Sequence, residues 1–68
     1  MMSSQKIEDL RIINNFSKIS VSDACRFYHV NQSNLKKGYV NDYIVHKIRR
    51  YLESKFAELF IIESDINE

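Results

Sequence analysis

The chain has 68 residues, 44% of them hydrophobic and 28% charged, which suits one small globular domain and leaves too little chain for a second core. Its formal net charge is +1 and it holds a single cysteine, so an intrachain disulfide framework is excluded and a reducing, cytosolic (cytoplasmic) setting is expected. The longest unbroken apolar run, Leu59 to Ile62, is too short to span a bilayer, and "MMSSQKIEDL" lacks the basic-then-apolar order of a secretory signal.

The small net charge hides a polarity along the chain. Residues 1–25 are balanced, residues 26–50 sum to +5 and residues 51–68 to −4. The basic middle suits phosphates and the acidic end does not, although both also suit plain solvated helix faces. There is no Pro, only one Gly, and no repeat, linker or alternating strand pattern. Apolar residues recur at the helical period instead. An all-α fold is expected: a small four-helix domain with a helix-turn-helix and a long C-terminal helix, over residues 1–62, followed by an acidic tail at 63–68.

In chain order, the first helix is expected to start after Ser3 or Ser4, either of which can cap free N–H groups. It would turn Ile7, Leu10, Ile13 (or Asn14) and Phe16 inward and end near residues 15–17. The second is expected to open at "SVSD", capped by Ser20 or Ser22, with Asp23 near the positive end of the helix dipole. It would run through Tyr28. Its Ala24 and Cys25 are small enough for a close neighbour, and Phe27 and Tyr28 supply bulk. Residues 29–31 break the pattern, with Val30 as a buried pivot. Asn31 is a good cap for a third helix, "QSNLKK", and Gly38 provides its left-handed stop. After the connector "YVND", Asn41 or Asp42 caps a last helix over about residues 43–62. Ile44, Ile48, Leu52 (with Tyr51), Phe56 (or Lys55) and Leu59 mark its apolar face, widened by Val45, Phe60, Ile61 and Ile62. A stripe this wide either closes the monomer core or forms a homodimer through the C-terminal helix.

Helix, three-residue turn, short helix is the helix-turn-helix order, in which the first helix braces and the second presents side chains to base edges. With Leu35 turned to the core, about 100° per residue sends Ser33 and Lys37 directly outward, with Asn34 and Lys36 beside them. Gln32 sits at the end that enters the groove. Gln and Asn can pair with adenine, Ser with several bases, and Lys with guanine or phosphate. The stretch "ACRFYHVNQSNL" resembles the helix-turn-helix of the lambda-repressor and Cro-like DNA-binding family. Ala24 and Cys25, Val30, Gln32-Ser33 and Leu35 fit that family's small residues, apolar pivot, "QS" start and following aliphatic residue. The resemblance covers about 20 residues well and the remainder in helix order only. It implies an operator-binding regulator, often dimeric and often encoded by phage or mobile elements, with Gln32, Ser33, Asn34 and Lys37 reading bases and Ser22 and Lys36 near phosphates. The chain departs from the family in having Val21 where a phosphate-contacting Gln is common, His29 where the turn often has Gly, Gly38 where an apolar residue is common, and four expected helices rather than five.

Other residues carry weaker signals. Arg49 and Arg50 suit flanking phosphates, or Glu53 at helical spacing. Tyr39 and Tyr43 can each bond a phosphate through the hydroxyl, or pack with the hydroxyl wet. Cys25 and His29 lie four apart but have no third ligand, and read better as core and turn residues. No Gly-rich phosphate loop or carboxylate pair stands out, so neither an enzyme nor a cofactor is expected. The partners expected are duplex DNA and a second copy of the chain, with no membrane. The rival reading is a small phage-type antirepressor or anti-CRISPR protein. Its acidic end (Glu53, Glu58, Glu63, Asp65) and apolar stripe would occupy a basic surface on a regulatory protein.

Overall fold

A computed structural model describes residues 3–66, and the side chains of residues 3–56. It is all-helical, with α1 at Ser4–Ile13, α2 at Lys18–Phe27, α3 at Gln32–Lys37 and α4 at Asp42–Ile66. α4 is the spine. α1 and α2 pack along it, and α3 packs on α2. No helix among the described residues is long and apolar enough to cross a membrane.

Ser3 caps α1, its Oγ accepting from the Lys6 N–H at 3.1 Å. The face that α1 buries differs from the expected one. Ile7 is 52% exposed, while Lys6, Asp9 and Ile13 are buried and Leu10 is half-buried. Leu10, Ile13 and Phe16 turn inward as expected, but Lys6 and Asp9 take the place of Ile7, which rotates the buried stripe by less than one residue's step of about 100°. The reason lies in α4 and the connector before it, which supply partners for the buried polar groups. Lys6 Nζ donates to the Gly38 carbonyl at 2.9 Å and pairs with Asp42 at 3.1 Å, and Asp9 is met by three side chains described below.

The start of α2 is also corrected. Ser17, not Ser20 or Ser22, is its cap, with Oγ accepting from the Ser20 N–H at 3.1 Å. Nothing between Ser17 and Val21 opposes helix, so the earlier cap wins and Asp23 falls in mid-helix. There it accepts from Tyr51 Oη at 2.8 Å and Lys55 Nζ at 2.7 Å. Val21, Ala24 and Cys25 form the buried stripe. Phe27 and Tyr28 clamp Tyr51, the Phe27 and Tyr51 rings stacked with centroids 4.9 Å apart.

Two consecutive helices stop in the same way. At the end of α2 the Val30 N–H reaches the Cys25 carbonyl at 2.8 Å and the His29 N–H the Arg26 carbonyl at 3.2 Å. At the end of α3 the Tyr39 N–H reaches the Asn34 carbonyl at 3.0 Å and the Gly38 N–H the Leu35 carbonyl at 3.1 Å. Both are Schellman closures, which need a left-handed residue. Gly38 supplies it at φ 80°, and His29 supplies it at φ 58° despite its Cβ. Val30 is half-buried against the core, as the pivot expected of it.

Asn41 caps α4, its Oδ1 accepting from the Tyr43 N–H at 2.8 Å. Among its described side chains Val45, Ile48 and Leu52 are fully buried, with Ile44, Tyr51 and Phe56 half-buried beside them. The helix continues past Ile62 to Ile66. The side chains of Leu59 to Ile62, on which the wide stripe and its dimer reading partly rest, lie outside the described residues. With Ile13, Val21, Ala24, Cys25 and Leu35, these three α4 residues make one core.

The two left-handed stops generate opposite stability effects. Gly38→Ala should lower stability by about 1 kcal/mol, and His29→Gly should raise it by a fraction of that, because glycine also loosens the unfolded chain. In thermal unfolding of a domain this size, 1 kcal/mol is about 4–8 °C. A His29→Gly midpoint below that of the parent chain would show that the His29 side chain contributes more than its backbone costs.

Candidate nucleic-acid interface

A six-residue helix does not persist in water by itself. α3 is fixed by its ends and one side chain. Asn31 Oδ1 accepts from the Ser33 and Asn34 N–H groups at 2.8 and 3.3 Å, Gly38 closes the other end, and Leu35 is 1% exposed in the core. With that one anchor set, Ser33, Asn34, Lys36 and Lys37 are exposed and Gln32 is half-buried. This is the outward array expected of them.

Gln32, Ser33 and Lys36 share the wall of an open depression with Lys18, the first residue of α2. Lys18 is not among the expected site residues, because an α2 capped by Ser20 or Ser22 leaves it outside the helix. Recognising Ser17 as the cap would have placed this lysine in the first turn, facing α3. Among the described residues no carboxylate lines the depression, and Lys18, Lys36 and Lys37 have no ion-pair partner. Tyr39, just past Gly38, is 75% exposed. Ser22 is half-buried on α2, away from the walls of this depression. Arg50 is exposed, and Tyr43 is exposed beneath the Lys47 ammonium, 5.2 Å from its ring centre.

Arg49 is placed differently from the phosphate contact considered for it. Its Nη1 donates to Asp9 Oδ1 at 2.8 Å, and its Nε faces Glu53 Oε2 at 3.4 Å, an ion pair without hydrogen-bond geometry. Asp9 is 0% exposed and also accepts from Gln5 Nε2 at 3.0 Å, with His46 Nδ1 3.2 Å from its other oxygen. Burial alone would push the Asp9 carboxyl up. The hydrogen bonds from Arg49, Gln5 and His46 outweigh it and hold the group below its ordinary value. Arg49 is thereby committed to joining α1 to α4. The contact joins positions 40 apart in the chain, which local spacing does not reveal.

The remaining chemistry is quiet. Cys25 is buried, and burial pushes its thiol up, away from the reactive thiolate. No group of three His, Cys, Asp or Glu side chains gathers for a metal among the described residues. The Glu58, Glu63 and Asp65 side chains of the acidic end lie outside the described residues, and Glu53 is engaged by Arg49. No family model, curated protein or solved structure matches this chain.

Arg49 is therefore best tested by unfolding. Arg49→Ala leaves a buried carboxylate without its main partner and should cost about 3 kcal/mol. The pH dependence follows from the same contact. Because the folded Asp9 carboxyl lies below its ordinary value, its contribution is complete above the unfolded value, about pH 4, and is lost as pH falls through the folded one. Urea midpoints measured from pH 7 downward should fall less steeply for Asp9→Asn than for the parent chain, from a lower start. Equal slopes would remove Asp9 from the acid response.

Proposed function

We propose that this protein is a sequence-specific, duplex-DNA-binding regulator that reads bases with α3. The observation that carries the reading is the division of α3 by a single anchor. Leu35 is buried while Ser33, Asn34, Lys36 and Lys37 are exposed and Gln32 borders them. Gln32 and Asn34 offer paired donor and acceptor groups for adenine, and Ser33 offers an adaptable hydroxyl. Lys37 suits guanine or the backbone. Lys18 and Lys36, on either side of the depression, suit phosphates that fix the protein's register without reading sequence. Tyr39 adds an exposed hydroxyl at the end of the helix. The resemblance of residues 24–35 to the lambda-repressor and Cro-like family agrees with this arrangement. His29 adopts the left-handed backbone that a turn glycine would otherwise supply. Pairing of two copies through α4 belongs to the reading, since a two-fold dimer sets two short helices about 34 Å apart, one turn of DNA. The single buried free cysteine suits a reducing cytosol.

Selection from a random duplex pool tests the reading. It should enrich a short motif with the parent chain and none with the Lys36→Ala/Lys37→Ala pair. On the enriched site, affinity should fall with salt. Lys37→Ala should reduce the log–log slope by about 1, while Gln32→Ala should cost about 1–3 kcal/mol and relax preference at one base pair. If the parent chain shows no duplex binding at low salt, α3 is not a reading head.

A further inference from the structure

Beside the open depression lies a more enclosed cavity of about 140 Å³, between α1, α2 and α3. Its floor is apolar: Ile13, Val21 and Leu35 are buried there, and Leu10 and Phe16 are half-buried. Its rim is not. Lys18, Gln32 and Lys36 line this cavity as well as the depression next to it, so one set of donors serves both. No carboxylate lines either space, and neither lysine has an ion-pair partner among the described residues.

We propose that this cavity is a binding site for a small aromatic carboxylate, with the ring on the Leu10–Phe16–Leu35 floor and the carboxylate at Lys18, Gln32 and Lys36. Size selects the ring, since an apolar cavity of about 150 Å³ lined by Leu, Ile and Phe accommodates one benzene. Charge selects the acid. Two ammonium groups and a carboxamide at the mouth can satisfy both oxygens of one carboxylate. A neutral ring would leave those donors unused, and a small anion without a ring would leave the floor wet. A consequence follows that rests on the DNA reading above. Lys18 and Lys36 cannot neutralise a carboxylate and a DNA phosphate at once, so the acid would act as an effector that releases DNA.

The site is tested without DNA by titrating the full ¹⁵N-labelled chain with sodium benzoate, benzyl alcohol and sodium acetate in turn. Benzoate should move the amide resonances of Lys18, Val21, Gln32 and Lys36 saturably, with a Kd of about 1 mM. Benzyl alcohol should bind about tenfold more weakly, and Lys18→Gln/Lys36→Gln should weaken benzoate about tenfold while leaving the alcohol unchanged. Both substitutions are at exposed positions, so folding is retained. Three results would overturn the proposal: no saturable shift with benzoate up to about 10 mM, acetate reproducing the benzoate shifts with the same affinity, or benzyl alcohol equalling benzoate. The effector step is read separately, as a benzoate-dependent loss of duplex binding at constant ionic strength. A chain that binds benzoate but no duplex would keep the site and end the DNA reading alone.

Discussion

The burial of Leu35 is the constraint on which the surface depends. α3 is too short to hold its own backbone, and its outward residues face away from the domain because one aliphatic side chain is locked into a core made by three other helices. Asn31 and Gly38 then set where the helix begins and ends. The arrangement separates two duties within a few residues. Position 35 supplies packing, and its neighbours are left without a structural task, so their polarity is available to a ligand. A helix anchored by several buried residues would have had fewer side chains to offer.

The charge distribution completes this separation. The near-zero net charge suggests nothing about a phosphate-binding surface until the ion pairs are placed. Asp9 is taken by Arg49, Asp42 by Lys6, Asp23 by Lys55 and Glu8 by Arg11. Among the described residues these carboxylates are thus neutralised along the α1–α4 and α2–α4 contacts or, for Glu8, within α1, while Lys18, Lys36 and Lys37 at the α2–α3 end have no ion-pair partner. Exposed pairs such as Arg11–Glu8 contribute little to stability. Their effect here is on the field, because each removes a negative charge that would otherwise oppose an incoming anion.

Much of this was legible in the residues. The four helices, the limits of α3, the Asn31 cap, the Gly38 stop and the inward turn of Leu35 follow from capping chemistry and helical spacing, which are local. What was not legible depends on partners distant in sequence. The inward phase of α1 could not be chosen from apolar spacing, because Ile7 is the better core residue by composition and Lys6 and Asp9 are the worse. Only the facing Gly38 carbonyl, Asp42, His46 and Arg49 reverse that order. Arg49 was ambiguous for the same reason, since its basicity suits a phosphate and a buried carboxylate equally. Lys18 was missed for a local reason. Four serines lie between Ser17 and Ser33, counting both, and hydroxyls alone do not say which one caps.

The misread phase of α1 and the fixing of α3 are one matter. Burying Lys6 and Asp9 carries a desolvation cost that two leucines would avoid. In return, Lys6 ties the last carbonyl of the α3 stop to α1 at 2.9 Å and, through Asp42, to the first turn of α4. Apolar contacts at that point would resist separation but not rotation, since they are non-directional. A hydrogen bond to a particular carbonyl sets an orientation. α3 is therefore held at its start by Asn31, in its middle by Leu35 and at its end by Lys6. The polar seam in α1 serves the geometry of the α3 surface more than the stability of the domain.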